Sequence, residues 1–193
     1  MRSLTAIKLA YFTGKSLMTA TEYVILVNEK DEAQGIAEKL KAHQQNMLHR
    51  AFSVFIFRTE PTLELLLQQR SFEKYHSPGL WTNTCCSHPR LDENIIEAAG
   101  RRLKEELNFT TTLKNIGWFH YNAHFDNGLS ENEIDHVLIG FVSTSMQISP
   151  NSAEIYAYKW LTIEQLEQNI AANPSQFTPW LAEALALVKK HVS

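Results

Sequence analysis

Residues 92–109, DENIIEAAGRRLKEELNF, decide how the rest of the chain is read. Ile95, Ile96, Ala99, Leu103 and Leu107 recur at helical spacing, and Asp92 or Glu93 can start the helix. Arg101 with Glu105, and Arg102 with Glu106, stand one helical turn apart and can share a face. In isolation such a face is an ordinary run of solvated ion pairs. Its surroundings make it more than that.

Upstream, YVILV at 23–27 reads as a buried strand and 28–35 as a polar turn. AFSVFIF at 51–57 is β-branched and aromatic, Glu60-Pro61 breaks it, and 63–69 follows, so the two runs read as a hairpin. Ser77-Pro78-Gly79 then leads into Trp81. Downstream, strands are expected at 114–121, 133–142 and 155–160, and helices at 163–170 and 179–192. Strands grouped between a few helices indicate an α+β fold rather than a doubly wound parallel sheet. Neither a GxGxxG nor a Walker loop occurs among the seven glycines, so a bound phosphate would have to be held by side chains or a metal.

Composition narrows the function. The 193 residues are 44% hydrophobic, which suits one sizeable core, expected over 21–193 after a tail at 1–20. That tail carries Arg2, Lys8 and Lys15, and Lys8 interrupts its apolar run, so it reads poorly as a signal peptide. A net charge of -3 argues against nucleic acid or an anionic membrane as the main partner, but not against a small anion. The longest apolar run is too short to span a bilayer. The two cysteines, Cys85 and Cys86, are adjacent and badly placed for an ordinary disulfide, so free thiols and a cytoplasmic setting are expected.

Three further clusters could carry chemistry. In WTNTCCSHP at 81–89, Cys86 and His88 are two apart, so in an extended strand they look into one cavity. His43 and His49 precede the strand that starts near Ala51. Glu131 and Glu133 lie where a loop enters a strand. Singly, each is an ordinary surface or core feature. Together His43, His49, His88, Glu131 and Glu133 make a mixed imidazole–carboxylate shell without thiolate, suited to Mg²⁺, Mn²⁺ or Zn²⁺ in an expanded geometry. Trp81 and Trp180 are candidate aromatic walls.

The 92–109 helix resembles the Nudix signature, in which helix glutamates hold a divalent cation on a diphosphate. Glu93, Arg101, Leu103, Glu105, Glu106 and Phe109 fall on its positions. Ser87 and Asn108 stand where it has glycines, and Arg102 replaces one of its glutamates, which favours holding phosphate over attacking it. With the WTNTCCSHP and Glu131-Asn132-Glu133 strings in order, the chain resembles the type I isopentenyl-diphosphate isomerases of the Nudix superfamily, from about residue 23 to 180.

That resemblance implies a mixed β-sheet flanked by helices and interconversion of isopentenyl and dimethylallyl diphosphate in isoprenoid biosynthesis. It implies that Cys86 and metal-bound Glu133 are the proton donor and acceptor, with Tyr121 hydrogen-bonded nearby. Arg70, Lys74 and Arg102 would hold the diphosphate, and Trp180 would face the cationic carbon. Mg²⁺ on the diphosphate would meet Glu106 and the Cys86 carbonyl, while the His/Glu shell takes a second divalent metal. A monomer acting on a small allylic or homoallylic diphosphate is expected. The alternatives are a Nudix hydrolase, an inactive diphosphate sensor and a structural zinc domain.

Overall fold

The computed structural model describes residues 21–192 apart from Tyr75, so the expected 1–20 tail lies outside the described residues. Nine strands, Tyr23–Val27 (β1), Ala33–Glu38 (β2), His49–Arg58 (β3), Glu64–Arg70 (β4), Trp81–Thr82 (β5), Cys85–Ser87 (β6), Leu113–His124 (β7), Ser130–Phe141 (β8) and Ile155–Leu161 (β9), form one mixed sheet. The helices are Lys39–Gln44 (α1), Ile95–Leu107 (α2), Ile163–Ala172 (α3) and Leu181–Val192 (α4).

β3 organises the sheet. It runs parallel to β8 from His49↔Glu133 to Phe57↔Phe141, and antiparallel to β6 through Phe52↔Ser87, Ser53↔Cys86 and Val54↔Cys85. The expected hairpin with β4 exists, but it is paired only at Phe57↔Leu65 and Arg58↔Glu64. Beyond that the two strands diverge, and β6 takes the place beside β3. This gap admits the cysteine strand into the centre of the sheet.

Side chains alternate across β3, and the two sides differ in partner. Phe52, Val54 and Ile56 pack with Cys85, Leu138 and the Ala98, Ala99, Leu103 and Leu107 stripe of α2. Phe55 and Phe57 pack with Val137, Ile139 and the Leu181, Leu185 and Val188 stripe of α4. At the N-terminal end of β3 the second side changes from apolar to His49, Ala51 and Ser53, and there the sheet opens into a cavity. Leu103 is fully buried in the first cluster. Leu103→Ala is therefore expected to cost about 2–5 kcal/mol, seen as a lower urea midpoint at unchanged m-value.

Several boundaries differ from expectation for identifiable reasons. α2 begins at Ile95, because Asn94 forms a reciprocal capping box with Glu97 that Asp92 and Glu93 do not form. Glu93 instead receives a two-pronged ion pair from Arg101, with Nε–Oε1 2.6 Å and Nη2–Oε2 2.8 Å. Asn108 closes the helix at φ +60°, so it adopts the left-handed conformation that the glycine of the signature would supply. The polar turn is shorter than 28–35: Asn28 Oδ1 accepts from the Lys30 and Glu32 amides, and β2 has begun by Ala33. Helix α1 is unforeseen, and Glu131 lies within β8 rather than in a loop.

Candidate active site

The five metal-ligand candidates arrive from four separate elements. α1 carries His43, β3 starts with His49, β8 carries Glu131 and Glu133, and His88 follows β6. One donor atom from each lies within 4.8 Å of all the others. His43 Nδ1 lies 2.7 Å from the Lys39 carbonyl and His49 Nδ1 2.8 Å from the Met47 carbonyl. These contacts place the N–H on Nδ1 of each ring and turn the Nε2 lone pair inward.

Inside the cluster, His88 Nε2 is 2.9 Å and His49 Nε2 3.3 Å from Glu133 Oε1, and the two imidazole nitrogens are 3.2 Å apart. His43 Nε2 lies 3.2 Å from Glu131 Oε2. Burial pushes His88 down to about 3, with His49 and Lys39 acting in the same sense against Glu133. Burial alone would raise Glu133, but the His88 hydrogen bond and the His49 ring beside its Oε1 hold it well below the carboxylate range. Burial and the Glu133 charge together drive Glu131 well above that range. Imidazoles converging with two carboxylates that resist joint ionisation form a donor set that a divalent cation satisfies.

Beside this cluster lies a cavity lined among others by Arg70, Cys86, Tyr121, Glu133 and Trp180. Cys86 faces it, whereas Cys85 points the other way into the core against α2. Burial pushes the Cys86 thiol up to about 12; Arg70 opposes this, and Glu106, Asp135 and Glu133 add to it. The sulfur is thus a thiol, not a thiolate, at neutral pH. Tyr121 donates its hydroxyl to Glu133 Oε2 at 2.7 Å, and burial beside that charge keeps the phenol neutral. The Trp180 indole is pinned by donating to Asn83 Oδ1 at 3.1 Å, and Tyr121 lies 6.0 Å away between ring centres. Trp81 lies apart from this wall: the Lys159 ammonium sits over its ring at 3.8 Å, and it packs at the edge of the α4 cluster.

The cations expected to hold phosphate gather at the same mouth. Arg70 donates from Nε to the Ser77 carbonyl (3.1 Å) and from Nη2 to the His76 carbonyl (3.2 Å), and its Nη1 lies 3.7 Å from Cys86 Sγ. Arg102 on α2 bridges Glu105 (2.8 Å), Glu106 and Glu154 (3.4 Å). Lys74 pairs with Glu154. Glu106 is buried and accepts from Gln68 at 3.2 Å.

Some residues here were not anticipated. Lys39, Ser53, His76, Ser87 and Asp135 also line the cavity, and Glu154 joins Lys74 to Arg102. Asp135 continues the alternation of Glu131 and Glu133, so it was within reach of pattern reasoning, whereas Lys39 joins His43 only through the unforeseen α1. Nothing local marks Glu154.

A NUDIX domain model matches residues 47–181. The chain is 44% identical over 177 residues to the isopentenyl-diphosphate Delta-isomerase of Aliivibrio fischeri (strain MJ11), covering 89% of this chain and 97% of that one. It is 45% identical over 179 residues to the enzyme of the same name from Photobacterium profundum, covering 91% and 99%. Among solved structures, DR0079 from Deinococcus radiodurans superposes with a TM-score of 0.68 at 24% identity, over 86% of this chain and 98% of that one. A MutT protein from Methanosarcina mazei does so with a TM-score of 0.60 at 16% identity, over 76% and 96%. These structural likenesses bear on the fold. Among the described residues no helix is long and apolar enough to cross a membrane.

Proposed function

The chain belongs to the isopentenyl-diphosphate Delta-isomerase family of NUDIX-domain proteins, and from that premise we infer how its residues move the double bond. It interconverts isopentenyl and dimethylallyl diphosphate: a proton joins the terminal alkene carbon, and another leaves the neighbouring CH₂. The intervening carbon becomes cationic, so a donor, an acceptor and a water-excluding wall must share one pocket. The observation that carries the assignment of roles is the convergence of Cys86, Tyr121-bound Glu133 and Trp180 on a single cavity beside the His/Glu cluster.

Cys86 and Glu133 exchange protons with the two carbons, each acting as acid in one direction and base in the other. The protonated Cys86 sulfur has a proton to give, and the ionised Glu133 can accept one. Tyr121 fixes the second oxygen of Glu133, so that carboxylate is presented in one orientation. The Trp180 face stabilises positive charge on the reacting carbon, by about 0.5–2 kcal/mol. Arg70, Lys74 and Arg102 bind the diphosphate and so seat the alkene. His43, His49, His88, Glu131 and Glu133 would hold one divalent ion, and Glu106 would face a Mg²⁺ carried on the diphosphate. When bound, the ion at the His/Glu cluster supplies positive charge that lets both glutamates stay ionised. The free thiols Cys85 and Cys86 support a reducing, cytoplasmic setting.

The test is incubation with isopentenyl diphosphate and Mg²⁺ in D₂O, with alkene protons and phosphorus followed by NMR. The expected result is dimethylallyl diphosphate carrying deuterium, without phosphate release. Phosphate release with an unmoved double bond would assign the site to hydrolysis instead.

A further inference from the structure

His76 has no part in the scheme above, yet it touches three parts of the site. Its Nε2 lies 3.2 Å from Glu131 Oε1, on the opposite oxygen from the one facing His43. Its ring lies near-parallel to that of His43 (5.9 Å, 28°) and to that of Phe125 (5.8 Å, 29°), and meets Trp180 at 62° and 6.4 Å. Its backbone carbonyl accepts from Arg70, the guanidinium nearest Cys86.

The turn that follows this ring is closely defined. Ser77 and Gly79 both adopt positive φ, +47° and +70°. A Cβ on Gly79 would come within 2.4 Å of the Phe72 ring, and its φ is one that other residues adopt only with strain. Gln69 donates to the Gly79 carbonyl at 2.9 Å and Arg70 to that of Ser77, which closes the turn against the end of β4. The imidazole is therefore held from the backbone, not merely resting against the cluster.

We propose that His76 is a positioning residue, which donates its Nε2–H to Glu131 and thereby fixes which oxygen that carboxylate offers to the divalent ion. Nε2 is the ring nitrogen that faces Glu131 Oε1, at 3.2 Å, and it is the atom from which the imidazole can offer an N–H. Oε2 of Glu131 faces His43, itself in the cluster, and His76 contacts Oε1 from outside it. Ligating carboxylates held by an outer partner bind more tightly than free ones. The inference rests on the reading of the His/Glu cluster as a metal centre.

Two variants separate the N–H from the ring. His76→Phe keeps the stacking surface and removes the donor, whereas His76→Gln keeps an N–H and removes the ring. Mn²⁺ is titrated into each metal-stripped protein, with the signal of free Mn²⁺ followed by electron paramagnetic resonance. Binding of pyrophosphate with Mg²⁺ is measured separately by calorimetry. The expected result is Mn²⁺ affinity about 10–100-fold weaker in His76→Phe, near the parent value in His76→Gln, and unchanged pyrophosphate binding in both. Parent-like Mn²⁺ affinity in His76→Phe would overturn the proposal. So would equal losses in the two variants, or a parallel loss of pyrophosphate binding, since these point to ring packing or loop displacement. A parent protein that takes up no Mn²⁺ would overturn it as well. Product formation by the parent protein in the D₂O assay reports independently on the isomerase reading.

Discussion

Replacing Cys86 by alanine is expected to lower isomerisation by roughly 10²–10⁴-fold, the usual contribution of a positioned acid or base. Binding of Mg²⁺-pyrophosphate and the unfolding midpoint should stay near their parent values. The side chain is half-buried at a cavity wall and takes no part in the apolar clusters, so its removal leaves no core void. The control is Cys85→Ala. That sulfur is fully buried among Phe52, Val54 and Leu138, so its loss should cost stability, about 1 kcal/mol, and leave turnover nearly intact. Turnover retained by Cys86→Ala would take the thiol out of the reaction. An equal loss in Cys85→Ala would mean that the wrong sulfur has been assigned.

Glu133→Gln is expected to abolish turnover and weaken the metal centre together. The side chain is contacted by His49 and His88 on one oxygen and by Tyr121 on the other, so the amide keeps the shape and loses the charge. A charged ligand lost from the ion should reduce affinity by more than the roughly 10–100-fold that an outer partner contributes. Metal content by elemental analysis, read beside product formation, separates the two roles. Full metal with no product would leave Glu133 as a proton carrier only. Lost metal with retained product would remove both the carboxylate and the ion from the chemistry.

Much of this site was legible in one sequence because its chemistry lies in short strings with fixed local geometry. Cys86 and His88 are two apart, one in β6 and one just past its end, and the structure puts both at the cavity. The α2 pattern placed Arg102 beside Glu106, where it is found. What escaped was long-range or too short to show a period. Helix α1 has six residues, fewer than two turns, so no apolar stripe announces it. The parallel pairing of β3 with β8 joins residues more than eighty apart, and alternation within either strand is silent about its neighbour. His76 sits in a polar turn whose direction is set by Ser77, Gly79 and Arg70, not by any repeat. Glu154 reaches Lys74 and Arg102 only because β9 pairs with β4.

The opposed orientation of the two sulfurs on β6 has a consequence for how this protein can change length. Odd-numbered residues of β3 and β8 (His49, Ser53, Glu131, Glu133) and the even-numbered Cys86 and His88 all belong to the wet side. Inserting or deleting one residue in any of these strands would exchange the two sets at a stroke, delivering carboxylates to the core and phenylalanines to the cavity. Changes made two at a time keep the sets apart. The site is thus written in a code of parity: its strands tolerate changes of residue type far more readily than a change of count by one, and grafting these strands onto another scaffold requires that odd and even be preserved before any individual residue is.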